Sequence, residues 1–395
     1  MTSDQFQEQP AGAGRSIIAH IHNCFFEKSE TFIHNVTANL RRFYPVFIAW
    51  EYHNLDQFPI PLADRFSLTL TPGSWRWLLQ GAGRRFLGRE IPAERFLKKR
   101  QARLLHAHFG HDGIWALPLK RALRLPLITT FYGHDMSQAA SLAGCEKGYP
   151  RLFAEGDLFL VEGPHMKKRL NEIGCPAEKI EIQRIAIPLA RLPFHPRLPR
   201  KKGEKTILLF SGRFVEKKGL GLALQALRLA RGRHPDFEFR IIGDGPLRPE
   251  IEREIHDHGM SAYVRLLGFL NYSDYLEQMQ NADLFLHPSV TAADGDSEGG
   301  APTTILEAQA LGLPVLSTRH ADIPNVVIPG ESALLSDERD IQGLAANIMR
   351  LLKERDSWSR MGESGRRHVE ENHDVAREIP RLESRYAELI ASHER

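Results

Sequence analysis

Cysteine is scarce in this 395-residue chain, and that scarcity excludes two kinds of site. Its three cysteines, Cys24, Cys145 and Cys175, are odd in number, widely spaced and without a CxxC pair. Such a set indicates neither a disulfide framework nor a zinc site. A reducing compartment, the cytoplasm, is therefore expected.

Long apolar runs and a strong charge of one sign are also missing. No apolar stretch reaches about 18 residues, the length of a membrane-spanning helix. The polar N-terminus lacks the basic and apolar regions of a secretion signal. A formal net charge of +3 is too small to indicate nucleic acid by itself. We expect a cytoplasmic protein with no membrane span and no nucleic-acid partner.

Basic residues are nevertheless concentrated in one segment. Residues 84–103 hold eight basic and two acidic side chains, shortly after Trp75 and Trp77. Interleaved aromatic and basic residues suit an anionic lipid surface, so Trp75, Trp77, Arg84 and Arg85 are candidates for peripheral contact with the inner face of the cell membrane. The alternative is a solvated helical face beside a packed tryptophan pair.

Short apolar runs alternate with helix-like stretches along the whole chain. This alternation predicts the α/β class, with parallel sheets and crossover helices. The length exceeds what one core organises, so two doubly wound domains are expected. A segment with four prolines, 187–205, indicates the linker between them. The predicted divisions are a first domain at 1–190, a linker at 191–204, a second domain at 205–370, and a helix at 371–395 that can pack back on the first.

In open α/β sheets, ligands bind beyond the carboxyl ends of the strands. The first turn of interest in the second half is "LLFSGRFVEKKGL", where Gly212 permits a tight turn and Arg213 and Lys218 can grip a diphosphate. Two cations at a helix N-terminus oppose the helix dipole, which favours an anionic partner over an exposed basic helix start.

The second turn, "RIIGDGPL", places Gly243 and Gly245 directly after a strand, where glycines allow a ligand close to the backbone. An ordinary strand-to-helix turn has the same pattern. No complete GxGxxG follows the first strand, which argues against an oxidoreductase.

The third turn, "TAADGDSEGGAPTTILEAQALGLPV", combines acidic residues with the start of a helix near Thr304. Thr304 and Glu307 have the spacing of a capping box, which would occupy Glu307 with its own helix. Asp294 and Asp296 have the pattern of a metal-binding DxD, but two carboxylates in a loop make a thin metal site. A solvated loop is the other interpretation of these acids.

In order and spacing, the second half resembles the family 4 glycosyltransferases, which have the GT-B fold. The motifs that carry the resemblance are "GRFVEKKG", "IGDGPL", "ADLFLHPS", "EGGAPTTILEAQALGLPVLST" and "IPNVVIPGESALL". The first half resembles more loosely the bacterial branch that assembles exopolysaccharide or lipopolysaccharide, through "SETFI", "LLHAHFG" and "TTFYGHDMS".

The resemblance implies a retaining, metal-independent enzyme that moves a sugar from a UDP- or GDP-sugar to a glycan or lipid-linked acceptor. It implies front-face displacement, in which the departing phosphate takes the acceptor proton. Arg213 and Lys218 would neutralise the diphosphate. Glu298 would lie against the donor sugar and Glu307 would bind the ribose. The remaining residues implied around the donor are Gly212, Gly243, Gly245, and the backbone amides of Thr303 and Thr304.

Two departures from the family pattern affect these assignments. Eight residues separate Glu298 from Glu307, where the family has seven, and we interpret the extra residue as a bulge at the Gly-Gly pair. Tyr132 stands where many relatives carry histidine, so His134, two positions later, is the candidate catalytic histidine. Residues predicted on the acceptor side are Glu30, His108 and Asp135, although a histidine at a strand end is as often structural.

Two other functions remain compatible with the sequence. A nucleotide-sugar epimerase of the non-hydrolysing GT-B type would hold the nucleotide in the same way, but it would need acid and base carboxylates in the first domain. A non-catalytic nucleotide-sugar-binding protein would have no turnover.

Overall fold

The computed structural model of the chain describes residues 14–27, 30–83, 85, 88–201 and 203–395. Within these ranges the first half contains nine strands and eight α-helices. The strands are β1 (Ser16–Ile21), β2 (Cys24–Phe25), β3 (Phe43–Ala49), β4 (Glu51–Tyr52), β5 (Arg65–Ser67), β6 (Ala102–His108), β7 (Leu127–Thr130), β8 (Leu158–Val161) and β9 (Ile180–Ile182). The helices are α1 (Thr31–Ala38), α2 (Trp75–Ala82), α3 (Ile91–Arg100), α4 (Gly110–Leu123), α5 (His134–Ser137), α6 (Ala139–Cys145), α7 (Tyr149–Glu155) and α8 (Pro164–Glu172).

The described residues of the second half add six strands and eight α-helices. The strands are β10 (Thr206–Ser211), β11 (Phe237–Ile242), β12 (Val264–Gly268), β13 (Leu284–His287), β14 (Val315–Thr318) and β15 (Ala333–Ser336). The helices are α9 (Leu220–Arg231), α10 (Arg248–Asp257), α11 (Tyr272–Asn281), α12 (Thr303–Ala310), α13 (Ile323–Val326), α14 (Ile341–Lys353), α15 (Trp358–Asn372) and α16 (Val375–His393).

Two parallel sheets organise the molecule, and the predicted fold class is confirmed. The first has the order β5-β3-β1-β6-β7-β8-β9 and the second the order β12-β11-β10-β13-β14-β15, while β2 and β4 pair separately. Central strands such as β8 (LFLV) and β10 (TILLFS) are buried along their whole length because helices cover both faces of each sheet. The sheets are separated by residues 183–205, which include the predicted linker.

Helix α16 crosses back from the second half to the first sheet. Its carboxylate cap is Asp374, which accepts from the amide of Ala376, and its buried face presents Ile379, Leu382 and Tyr386. These side chains complete an apolar cluster with Ile18 of β1, Leu104 of β6, Ile128 of β7 and Leu160 of β8. The last helix therefore forms part of the core of the first domain.

The turns at the carboxyl edges of the two sheets contact each other. Asp322, after β14, accepts hydrogen bonds from the amides of His165 (2.9 Å) and Met166 (3.0 Å). It thus caps the N-terminus of α8, a helix of the other domain. The amide of Ala139 donates to the carbonyl of Asp294 at 3.0 Å. The two carboxyl edges consequently enclose one cleft.

Among the helices in the described part of the chain, none combines the length and apolar composition that a bilayer crossing requires.

Candidate functional site

The turn after β10 is shaped by close backbone packing. The amide of Phe214 donates to the carbonyl of Asp244 at 2.9 Å. A Cβ at Gly243 would lie 2.0 Å from the carbonyl oxygen of Gly212, and one at Gly245 would lie 2.7 Å from the backbone of Phe214. Because Gly243 and Gly245 have no side chains, the backbone of residues 212–214 can pack directly against them. This packing places Arg213, which lies within that turn, at the cleft.

Lys218 is fixed by a second constraint at the start of α9. Gly219 has φ +65°, and a Cβ there would lie 1.8 Å from the carbonyl oxygen of Pro288. Nζ of Lys218 donates to Oε2 of Glu298 at 2.8 Å. Burial, together with Lys217 and Arg213, lowers the pKa of Lys218, against the opposing effect of Glu298. Arg213 itself is exposed, so two cations border the same space.

Glu298 is a buried, charged carboxylate with several partners. Its side chain is 5% exposed. Besides Lys218, Oε1 accepts from Ser289 Oγ at 2.8 Å and lies 3.3 Å from His287 Nε2. Burial raises the pKa of Glu298, but Lys218 and His287 outweigh it and hold that pKa well below its ordinary value. The carboxylate therefore keeps its charge beside Lys218.

The residues around Glu298 have structural partners that the sequence did not reveal. Nζ of the buried Lys217 donates to Oδ1 of Asp296 at 3.0 Å and to the carbonyl of Ser297 at 3.1 Å. Asp294 instead accepts from Gln138 at 3.1 Å and from the amide of Asp296 at 3.0 Å. Asp294 and Asp296 thus serve to fold the loop, which corrects the interpretation of a merely solvated loop.

Glu307 lies on α12, and the capping-box interpretation is wrong for it. The N-cap position of α12 is Pro302, and no side chain caps the helix. The carboxylate instead accepts a 2.5 Å hydrogen bond from the hydroxyl of Tyr275. Burial raises the pKa of Glu307 to about 7, although Tyr275 opposes the shift. The amides of Thr303 and Thr304 lie in the first turn of this uncapped helix, where backbone N–H groups can bind an anion.

The turn after β7 contains His134, at the start of α5. Its ring packs on Phe109, with centroids 4.7 Å apart. Burial lowers the pKa of His134, and Lys217 contributes in the same direction while Asp135 opposes it. The ring of His134 is therefore uncharged near neutral pH.

Two residues predicted on the acceptor side lie beneath the cleft surface, which corrects the idea that they face an acceptor. Asp135 is 1% exposed and accepts from the amides of Gly110, Tyr132 and Gly133. Its role is to shape the turn. His108 is fully buried, with Nδ1 2.8 Å from the hydroxyl of Tyr132. Its Nε2 lies 3.0 Å from Nδ1 of His20, so both ring nitrogens of His108 have partners within the protein.

Glu30, the third predicted acceptor-side residue, belongs to a pair of ionic contacts around His22. Nε2 of His22 lies 2.9 Å from Oε2 of Glu30, and Nδ1 lies 2.8 Å from Oδ2 of Asp112. Although burial lowers the pKa of His22, the two carboxylates outweigh it and raise that pKa to about 9. Glu30 is 20% exposed, which makes it the least buried of the three side chains. Sequence reasoning missed His22 and Asp112, whose signal was a histidine just after β1 and an acid in the first turn of α4.

Three groups of side chains in the described residues have ligand atoms close enough for a metal ion: His20, His106 and His108; His22, His111 and Asp112; Cys24, Glu27 and His53. In the first, both ring nitrogens of His106 and both of His108 already have hydrogen-bond partners within the protein. In the second, both ring nitrogens of His22 already have carboxylate partners. The third is a surface group in which Glu27 accepts from Cys24 and His53.

The predicted membrane-facing residues are partly described. Trp75 and Trp77 of α2 are 60% and 44% exposed, so they do not form a packed pair. On α3, Arg95, Lys98 and Lys99 are exposed as well. Arg85 is exposed, while Arg84 lies outside the described residues.

Comparisons of sequence match both halves of the chain. A family model described as Glycosyltransferase Family 4 matches residues 29–191, and one described as Glycosyl transferases group 1 matches residues 194–368. The amylovoran biosynthesis glycosyltransferase AmsK of Erwinia amylovora is 38% identical over 62% of this chain and 60% of its own length. The putative colanic acid biosynthesis glycosyltransferase WcaL of Salmonella typhimurium is 36% identical over 61% of this chain and 59% of its own length. These matches thus span about 60% of the length of either relative.

Comparison of structures gives the same fold. Anabaena HepE in complex with UDP and glucose superposes with a TM-score of 0.75 at 16% identity, covering 94% of this chain and 99% of HepE. HepE in complex with UDP-glucose gives 0.74 at 16% identity, with coverage of 95% and 99%. The lipopolysaccharide outer core galactosyltransferase WaaB gives 0.68 at 15% identity, with coverage of 95% and 98%.

Proposed function

Because the chain belongs to family 4 of the glycosyltransferases, we propose that it transfers a sugar from a nucleotide-sugar donor to a hydroxyl of a glycan or lipid-linked acceptor. The relatives AmsK and WcaL are named for amylovoran and colanic acid biosynthesis, which supports a role in cell-surface polysaccharide synthesis. HepE binds UDP and UDP-glucose, which supports a UDP-sugar as the donor.

The observation that carries this proposal is the ion pair of Lys218 and Glu298, whose side chains are 15% and 5% exposed, beside the exposed Arg213. Two cations at the carboxyl edge of a parallel sheet can neutralise a diphosphate leaving group as the glycosidic bond breaks. When a diphosphate binds, Lys218 interacts with it as well as with Glu298. The carboxylate of Glu298 then turns to the donor sugar. Glu307 accepts hydrogen bonds from the ribose.

The finer chemistry is part of the proposal. The transfer retains the anomeric configuration, the departing phosphate accepts the acceptor proton, and no metal ion takes part. Retention is checked by proton NMR of the first product formed, before the anomers equilibrate. Metal independence is checked by assaying turnover in EDTA, where the rate should remain that of the untreated enzyme.

The donor site is tested by thermal unfolding with a panel of UDP- and GDP-sugars. A ligand at 100 times its Kd stabilises a protein by about 2.7 kcal/mol. Arg213→Ala and Glu307→Ala should each lower the affinity for the stabilising nucleotide by about tenfold or more. The control is Arg253→Ala on α10, whose side chain is 70% exposed. If the first two variants bind like the control, the assignment of the donor site is wrong. If incubation with the nucleotide sugar alone, without an acceptor, yields an epimerised sugar, the reaction is epimerisation and not transfer.

We also propose that α2 and α3 lie against an anionic membrane surface at the inner face of the cell membrane. Exposed Trp75 and Trp77 supply the apolar contact, and Arg95, Lys98 and Lys99 supply the charge. Co-sedimentation with phosphatidylglycerol vesicles should exceed that with phosphatidylcholine vesicles. Replacing both tryptophans by alanine should abolish the difference. Leu229→Ala, an exposed apolar position on α9, should leave it intact.

A further inference from the structure

Glu162, the residue after β8, lies in the seam between the two domains. It is 5% exposed. Its Oε2 accepts a 2.8 Å hydrogen bond from the amide of Ala301. Ala301 follows Glu298 by three positions. A side chain of the first domain therefore holds the backbone that carries the donor-side carboxylate of the second.

The two glycines between Glu298 and Ala301 are fitted to the first domain. A Cβ at Gly300 would lie 1.8 Å from Oε2 of Glu162. Gly299 has φ +71°, and a Cβ there would lie 2.4 Å from Cα of Gly133. A residue with a side chain is excluded at Gly300 by Glu162 and disfavoured at Gly299 by its backbone conformation.

The other end of the same loop is also held by the first domain. The amide of Ser297 donates to Ser137 Oγ at 3.3 Å, and the carbonyl of Asp294 accepts from Ala139. First-domain groups thus grip the loop on both sides of Glu298. Of these groups, Glu162 is the one whose side chain occupies the position that a Cβ of Gly300 would take.

We propose that Glu162 is a positioning residue for Glu298. By seating Gly300 and holding the amide of Ala301, it fixes the backbone from which Glu298 reaches Lys218. The seating is a property of the fold. Its consequence for the reaction rests on the glycosyl transfer proposed above.

The chemistry of Glu162 indicates which substitution should preserve its role. Burial raises the pKa of Glu162 well above its ordinary value, although the amide of Ala301 opposes the shift. Asp322, Asp135 and Glu298 contribute in the raising direction. A neutral side chain of the same size can therefore replace it, and glutamine offers a carbonyl oxygen to Ala301.

The seating is tested by thermal unfolding of Gly300→Ala, Glu162→Gly and the double variant. In the wild-type background, the new methyl group collides with Glu162, and Tm should fall. In the Glu162→Gly background the carboxylate and the Cβ that the new methyl group would meet are both absent, so the same change should lower Tm by less than half as much. Gly221→Ala on α9, where a Cβ meets nothing within 4 Å, is the matched control and should be additive with Glu162→Gly. An equal effect of Gly300→Ala in both backgrounds would overturn the proposal.

The positioning role is tested by separating binding from turnover. Glu162→Ala should lower kcat for the stabilising nucleotide sugar at least tenfold while the Kd of UDP, measured by calorimetry, changes less than threefold. Glu162→Gln should restore most of kcat. Unchanged kcat in Glu162→Ala, or failure of Glu162→Gln to restore it, would overturn the role. If the wild-type enzyme turns over no nucleotide sugar, the proposed function fails, and the Tm cycle alone decides the seating.

Discussion

Glu307 carries a carboxyl group that titrates near neutrality in the folded protein. Burial raises its pKa to about 7 from an ordinary 4.5. Between these values the folded state binds more protons than the unfolded state, so the contribution of Glu307 to stability falls as pH rises from 4.5 to about 7. Glu307→Gln should therefore gain stability relative to wild type across this window. Denaturant unfolding at several pH values checks this, and parallel profiles for the two proteins would contradict it.

The contribution of His22 to stability should also fall with rising pH, but in a more alkaline window. Its two carboxylate partners outweigh burial and raise its pKa to about 9 from 6.5. The imidazolium thus contributes stability that is full below pH 6.5 and is lost as pH rises through about 9. Asp112→Asn, which removes one partner, should be less stable than wild type near neutrality, and the two Tm curves should converge above pH 9. If the difference in Tm between the two proteins stays constant with pH, the loss of stability in Asp112→Asn comes from packing and not from the charge of His22.

At this scale, the sequence indicates residue types better than their orientation. It predicted Arg213 and Lys218 at the turn after β10, where the structure places both. The same reasoning placed His108 and Asp135 on the acceptor side, whereas both lie beneath it. A histidine or aspartate at a strand end has the same pattern whether it faces the cleft or holds the turn. Tertiary contacts such as those of Asp135 with three amides decide between the two.

Among the elements, α8 depends on the opposite domain for its N-terminal cap. Asp322 accepts from the amides of His165 and Met166. Asp322→Ala should cost about 1 kcal/mol, as loss of a cap usually does. It should also speed amide hydrogen exchange at residues 165 and 166. Asp340→Ala is the control, since Asp340 caps α14 within its own domain. We expect both variants to lose a similar amount of Tm, but only Asp322→Ala to exchange faster at the start of α8. Unchanged exchange at residues 165 and 166 in Asp322→Ala would contradict the interdomain cap.

Most central strands and α12 follow from the sequence, and the short edge elements do not. The run "SIIAHI" is β1, and "TILLFSG" contains β10. The helix expected near Thr304 spans Thr303–Ala310, and Gly312 has φ +87°. The strands β5 and β9 have three residues each, and their partly exposed side chains give no apolar run that a sequence pattern could detect. Pattern reasoning relies on burial, which is weakest at the edge of a sheet.

For the whole molecule, the crossing of α16 makes the stability of the first domain depend on the last helix. Tyr386 is fully buried, and its hydroxyl lies 2.6 Å from Nδ1 of His106. Tyr386→Ala should cost about 3–5 kcal/mol, as large-to-small changes of buried aromatic residues do. Tyr386→Phe, the matched control, should cost only about 1 kcal/mol for the hydrogen bond. Denaturant unfolding followed by tryptophan fluorescence compares them, and equal losses would contradict a packing role.

The contacts between the domains are the part of the molecule that the sequence could not supply. Glu162 and Ala301 are 139 positions apart, and Asp322 is 157 positions from His165. The adjacent glycines indicate a tight turn at Gly299 and Gly300. They do not indicate that the groups packed against this turn belong to another domain. An alternation of strands and helices specifies each sheet and leaves their mutual placement open.

The path of α16 also determines the order in which the protein matures on the ribosome. The apolar face that includes Ile18, Leu104 and Ile128 stays bare while the second domain is translated, because Leu382 and Tyr386 follow that domain in the sequence. The second domain has its own core and can close before them. The half of the protein that is translated first is therefore completed only after the second domain has been translated, and until then it offers an apolar surface to chaperones.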